Sequence, residues 1–279
     1  MENKFMLIGV GDTGKRITDR LVLEGVHANV LTVLDRKPVG GSSDSNTHVY
    51  DVKSHDRQPK LKEWLDAKNW ENYFWNGGMV IVVGELGTPL TSAFLTVQSH
   101  LHERAIYFAS MEIIPLSENP GDDADKQDRS SKVADYHFDF FLDSIRKEAG
   151  NPTEATIMDL AVEHVCGAVQ LLLNGLDHGY KKISAPDGDK TMDLSAIAGK
   201  GLDYPQLYVG RGESAVTNLL DDISTCFPDE EKSLIVSLTG NHETTVRNKN
   251  LLQKKFTGEL WITHRIIEDS GQNVTALII

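Results

Sequence analysis

The chain has 279 residues, 40% hydrophobic and 25% charged, with a formal net charge of −13. Such a length and composition fit an α/β protein of one large unit or two domains, and the acidic balance excludes broad nucleic-acid binding, which needs a basic surface. No uninterrupted run reaches the roughly 18 apolar residues of a membrane span, so no direct membrane insertion is expected.

Residues 5–10 (FMLIGV) read as a buried strand, not a signal peptide, and 15–24 as a helix with Ile17, Leu21 and Val22 on one face. A second strand is predicted over 29–34, ending at Asp35, then a loop over 38–48. Residues 59–72 look helical, 79–83 (MVIVV) form a continuous apolar strand, and 105–110 (AIYFAS) give another. The acidic stretch 117–131 reads as a surface loop. A long helix then starts at Asn151 as N-cap with Pro152 in its first turn and runs to about Leu176, interrupted only by Gly167; at 1.5 Å per residue that is roughly 37 Å. The last third predicts a strand at 206–210, a helix at 213–225, a strand and turn at 233–240, a helix at 243–255, and two strands, 259–269 and 273–279, joined by a turn at Ser270–Gly271. Strands alternating with helices imply a parallel sheet.

Cys166 and Cys226 lack metal or redox spacing, which favours a reducing cytoplasm, and Cys166 falls on the buried face of the long helix. No metal site is expected from the ten histidines: His100 and His102 would share a face only on a strand, and their region reads as helix. Trp64, Trp70, Tyr73 and Trp75 form an aromatic-rich stretch best explained by packing.

Two readings of the glycine loops compete. Gly9, Gly11 and Gly14 form a G-x-G-x-x-G after a strand and before a helix, and Asp35 follows about twenty residues later, as in a dinucleotide site with an acid on the ribose. That reading makes the chain an NAD(P)-binding Rossmann oxidoreductase. The second reading uses GELGTPLTSAF (84–94) as well. Two glycine-rich turns at one sheet edge, each opening a helix, would offer two nests of N–H groups to a chain of phosphates. No G-x-x-x-x-G-K-[ST] is present, so an ordinary P-loop is excluded.

The order of these landmarks resembles the FtsZ/tubulin superfamily. IGVGDTGKRI is similar to its first nucleotide loop, MVIVVGELGTPLTSAF to its glycine-rich signature loop, and the helix carrying GAVQ (167–170) to its central helix. TMDLSAI (191–197) takes the place of its catalytic loop, and YVGRGESAVTNLLDDI, SLIVSLTGNHETT and THRIIEDSGQNVTALII resemble its second domain, the last as a final hairpin. The resemblance implies an α/β fold with a parallel-sheet nucleotide-binding domain (1–150), a central connecting helix (151–178) and a smaller C-terminal α/β domain (179–279). It implies GTP or GDP bound by Gly9, Gly11, Asp12, Thr13 and Gly14, and by Gly84, Gly87, Thr88, Thr91 and Ser92. Met158 would pack on the base and Glu163 read the guanine edge; Asp193 would be the catalytic acid that positions water and Mg²⁺.

Departures from the family pattern are specific. Glu85, Leu86, Pro89 and Leu90 interrupt the signature loop; Pro89 lacks an N–H and Glu85 adds negative charge beside an anion site. Thr191 and Ala196 stand where the family has an asparagine and a second acid, and Gly40-Gly41-Ser42-Ser43 is a poor counterpart for a further phosphate loop. The resemblance therefore implies a cytoplasmic protein that assembles head to tail with itself or a related subunit and binds guanine nucleotide weakly or not at all, with at most slow GTP turnover. The sequence ends at its last predicted strand, so no tail-mediated membrane link is expected.

Overall fold

A computed structural model describes residues 5–36, 45–53, 57–68, 70, 78–116, 133–150, 152–178, 180–182, 191–192, 207–226, 233–267 and 272–278. The chain divides into two compact units, with the boundary between Val165 and Cys166.

The first unit opens with β1 (Phe5–Val10), α1 (Gly11–Leu23), β2 (Ala28–Leu34), β3 (Thr47–Val49) and α2 (Arg57–Asp66). It continues with β4 (Met79–Glu85), α3 (Thr91–Glu103), β5 (Phe108–Ile114), β6 (Tyr136–Phe141), α4 (Leu142–Glu148) and the start of α5 (Glu154–His178). Its six strands form one parallel sheet in the order β3-β2-β1-β4-β5-β6. Parallel strands covered on both faces should read as unbroken apolar runs, and β1 and β5 are buried along their whole length. Met6, Ile8, Val80 and Val82 pack with Phe94, Val97 and Leu101 of α3 in one core cluster.

Several elements differ from the sequence expectation. Helix α1 begins at Gly11 rather than at residue 15, because Val10 is still extended and the turn into the helix is made by Gly11 at φ +81°. Strand β5 begins at Phe108 rather than residue 105. Residues 104–106 instead close α3: the Ala105 N–H donates to the His102 carbonyl and the Ile106 N–H to the Leu101 carbonyl, with Ala105 left-handed at φ +53°. Helix α2 stops at Asp66, and Trp70 folds back to donate its Nε1–H to the Leu65 carbonyl at 2.9 Å. Thr47–Val49 pairs with β2 as a short edge strand, and β6 and α4 fill 136–148, where no element was predicted. Residues 37–44, 71–77 and 117–132, including Gly40, Gly41, Tyr73 and Trp75, lie outside the described residues.

The second unit takes the end of α5 and adds β7 (Tyr180–Lys182), β8 (Thr191–Met192), β9 (Leu207–Arg211) and α6 (Ala215–Cys226). It ends with β10 (Ser233–Gly240), α7 (His242–Lys255), β11 (Glu259–Ile266) and β12 (Asn273–Ile278). Its sheet order is β8-β7-β11-β10-β12-β9. This corrects the expected final hairpin: β11 pairs with β10 in parallel, β12 pairs with β10 antiparallel, and β10 separates them. Val216, Leu219 and Ile223 of α6 pack with Leu234, Val236 and Leu238. Asn241 caps α7 by accepting the Thr244 N–H at 2.9 Å, a capping hydrogen bond of the ordinary kind.

Helix α5 explains its own glycine. A Cβ on Gly167 would stand 2.5 Å from Val209 Cγ2, so the missing side chain lets β9 approach the helix. Asn174 Nδ2 donates to Ser237 Oγ at 2.8 Å and Tyr180 Oη to the Leu171 carbonyl at 2.6 Å, pinning this half of α5. By length and composition Glu154–Leu176 could cross a membrane, yet most of that stretch is buried, with Ala161, Val165, Cys166 and Val169 in the core.

Candidate functional site

Strands β1 and β4 are neighbours with Val10 opposite Gly84, so the two glycine loops leave the same sheet edge at the same level. The chain crosses from β1 to β2 on one side and onward to β4 on the other. Strand order therefore reverses here, and ligands of open α/β sheets bind in the crevice outside the carboxyl ends at such a point.

A cavity of about 210 Å³ occupies that crevice. Gly11, Asp12 and Thr13 line it from the first turn of α1, Asp35 from the end of β2, and Glu85, Thr88, Pro89 and Leu90 from the second loop. It is smaller than the roughly 300–1,000 Å³ of most small-molecule sites.

The glycines divide by role. A Cβ on Gly14 would stand 2.6 Å from the Val83 carbonyl oxygen, and one on Gly9 2.7 Å from the Gly14 carbonyl. Both positions thus hold α1 against β1 and β4 and do not line the cavity. Gly84 is filled from the other side, where a Cβ would meet the Phe94 ring at 2.4 Å, and Gly87 turns the chain at φ +74°.

The first turn of α1 has no side-chain cap, which leaves it polar and electropositive toward the cavity. Into that space Thr13 Oγ1 donates to Glu85 Oε2 at 2.9 Å. Asp12, also on the cavity wall, is paired with Arg36 at 2.7 Å, an exposed pair of small energetic weight.

The second loop differs from the open nest expected of it. The Leu86 N–H donates to the Ile113 carbonyl and the Thr91 N–H to the Thr88 carbonyl. Thr88 N–H donates to Thr91 Oγ1 at 3.1 Å, and Leu90 N–H to Thr88 Oγ1 at 3.3 Å. Pro89 has no N–H to offer. Four of the loop's donors are thus already satisfied within the protein, two of them by threonine hydroxyls. Ser92 turns away: its Oγ lies 3.2 Å from Tyr50 Oη and it lines a separate groove between α2 and α3.

Met158 and Glu163 lie on α5 and do not line the cavity. Glu163 sits 3.9 Å from Arg20 of α1, which also bonds Glu24 at 2.9 Å. Asp193 lies outside the described residues. Val10 and Leu90 were not singled out as ligand contacts in the sequence; their apolar side chains carry no signal of a lining role.

No protein-family model matches the chain, and no curated protein matches it by sequence. Solved structures do match. The GDP-bound monomer of CetZ1 from Haloferax volcanii superposes with a TM-score of 0.65 at 15% identity, over 99% of this chain and 93% of that one. The empty FtsZ dimer from M. jannaschii gives 0.64 at 12% identity, over 100% of this chain and 88% of that one. CetZ2 from Haloferax volcanii, a GTPγS-bound protofilament, gives 0.54 at 14% identity, over 99% and 92%. Identity this low speaks to fold alone. The likeness runs through both units, whereas the strand order of the first sheet by itself is shared with dinucleotide-binding sheets and would not separate the two readings. The chain has an FtsZ/tubulin-like fold.

Proposed function

We propose that this protein is a self-associating relative of the FtsZ/tubulin cytoskeletal proteins whose guanine-nucleotide site has been attenuated. The observation that carries the reading is the state of the two loops. The helix N-terminus that would face phosphate holds a carboxylate, Glu85, and the loop beside it has turned its N–H groups inward. Asp12, Asp35 and Glu85 surround the cavity with negative charge, which opposes a polyphosphate unless Mg²⁺ accompanies it. GTP or GDP binding is then weak, Mg²⁺-dependent, and followed by slow turnover at most.

Self-association is supported by the solved relatives, among them an FtsZ dimer and a CetZ2 protofilament. Head-to-tail contacts that do not close produce filaments, and a scaffold of this kind needs the fold more than it needs hydrolysis. A cytoplasmic place follows from the same reading. The NAD(P) reading retains Asp35 at the cavity, but it leaves the second unit unexplained.

Sedimentation of the purified chain, with and without GTP and Mg²⁺, followed by electron microscopy of the pellet, tests the proposal. Filaments that form with little dependence on GTP support it. A monomer at every concentration and nucleotide condition overturns it.

A further inference from the structure

The outer half of the first sheet carries a buried polar cluster that the nucleotide cavity does not use. Strands β5 and β6 pair with Ser110 opposite His137 and Glu112 opposite Asp139, so these side chains share one sheet face. Glu112 is fully buried. Ser110 Oγ at 2.9 Å and Gln98 Nε2 of α3 at 3.1 Å both donate to Glu112 Oε1.

His137 faces the same carboxylate oxygen. Its Nε2 bonds Asp139 Oδ1 at 2.8 Å, while its Nδ1 is buried, has no hydrogen-bond partner, and points at Glu112 Oε1 from 3.6 Å. The His137 side chain is 10% exposed. One donor atom from each of Glu112, His137 and Asp139 lies within 4.8 Å of the other two. Gln98 Oε1 is a second buried polar atom there without a hydrogen bond.

We propose that Glu112 and His137 bind one divalent transition-metal ion of the zinc class, with Asp139 orienting the imidazole. The spacing carries the assignment. At 3.6 Å the Nδ1–Oε1 pair is too long for a hydrogen bond. Two ligands each about 2.0–2.2 Å from one ion stand roughly 3.3–3.7 Å apart at tetrahedral to trigonal angles. Asp139 Oδ1 lies 2.8 Å from Nε2; with the proton on that nitrogen, the Nδ1 lone pair faces Glu112, an arrangement that commonly supports a metal-binding histidine. One imidazole with carboxylate oxygen suits Zn²⁺, Co²⁺ or Mn²⁺ better than the all-oxygen preference of Mg²⁺ or Ca²⁺. The ion would tie the edge strand β6 to β5. No sequence spacing announces the site, because Glu112 lies on one strand and His137 and Asp139 on the next.

Calorimetric titration of ZnCl₂ into the chelator-treated full chain, without nucleotide, tests the site independently of the guanine-nucleotide reading. One-to-one binding is expected, weakened by more than about tenfold in His137→Ala and Glu112→Gln, and by about tenfold in Asp139→Asn. If a core variant does not fold, Co²⁺ on the wild-type chain decides: a visible spectrum of a low-coordinate nitrogen–oxygen site, bleached by Zn²⁺, supports the proposal. No Zn²⁺ binding, or equal binding in a folded His137→Ala, or a Co²⁺ spectrum like that of the free aquo ion, overturns it.

Discussion

Thr13 and Glu85, 72 positions apart in sequence, are joined by a 2.9 Å hydrogen bond across the mouth of two adjacent strands. The bond places a side-chain carboxylate against the first turn of α1, where its partial positive charge favours an anion. Replacing Glu85 with Gly frees the Thr13 hydroxyl and removes one negative charge. GDP affinity, read by calorimetry with Mg²⁺, is expected to rise by at least about tenfold, equivalent to roughly 1.4 kcal/mol. Glu85→Gln should fall between the two. The ligand-free variants should gain no stability, since the lost bond contributes about 0.5–1.5 kcal/mol. Unchanged GDP affinity in both variants would show that Glu85 does not occupy the anion position.

The C-terminus of α3 offers a stabilising substitution. Helices α1 and α3 end in the same pair of hydrogen bonds, but Gly25 occupies the left-handed position in the first, and Ala105, at φ +53°, in the second. A left-handed L-residue costs roughly 1–2 kcal/mol, partly offset by the larger unfolded-state entropy of glycine. Ala105→Gly should therefore raise the urea-unfolding free energy by about 0.5–1 kcal/mol. A loss of stability would contradict the capping assignment.

Gly14 should matter to packing before it matters to ligand. Its Cβ would meet main-chain atoms on two sides, the Val83 oxygen at 2.6 Å and the Gly9 carbonyl carbon at 3.0 Å, and neither can rotate away. Gly14→Ala is expected to lower stability by about 1–3 kcal/mol in the absence of any nucleotide. Thermal unfolding of the ligand-free variant checks this, and an unshifted midpoint would mean that α1 does not sit against β4 as described.

Acid sensitivity follows from buried neutral histidines. His164 donates its Nδ1–H to the Leu160 carbonyl at 2.7 Å, and burial holds its pKa below the ordinary value. His100, 2% exposed, is lowered by burial as well, with Arg104 and Lys62 adding to the effect and Asp66 opposing it. A folded-state pKa below the unfolded value of about 6.5 means that the unfolded chain binds the proton first. The contribution of these groups is thus complete above about pH 6.5 and is lost as pH falls toward the lowered folded value. Urea unfolding at about pH 7.5 and about pH 5.5 should show a smaller acid-induced loss in His164→Gln than in the wild-type chain. An equal loss in both would remove His164 from the explanation.

The legible parts of the fold were those whose signal is local. The apolar runs 5–8 and 79–83 lead straight into glycine and mark β1 and β4, and the helical pattern over 243–255 marks α7. Pairing is a long-range matter, so the short separation of β11 and β12 suggested a hairpin although β10 lies between them. The displaced start of β5 has a physical cause too: the αL position that glycine usually announces is taken by Ala105. In the site, Asp12, Thr13 and Thr88 were legible from their loops and do line the cavity. The consumption of the second loop's N–H groups was not, because it depends on where the hydroxyls of Thr88 and Thr91 turn. G-x-G-x-x-G spacing reports close helix–strand packing at Gly9 and Gly14, and that packing serves a dinucleotide site and an FtsZ/tubulin-like site equally.

Parallel calorimetric titrations of the wild-type chain with GDP–Mg²⁺, GTP–Mg²⁺ and NAD test the proposed weakened guanine-nucleotide site. Weak, saturable heat is expected with the guanine nucleotides, strengthened in Glu85→Gly, and none with NAD. Tight NAD binding that disappears in Asp35→Ala would contradict it.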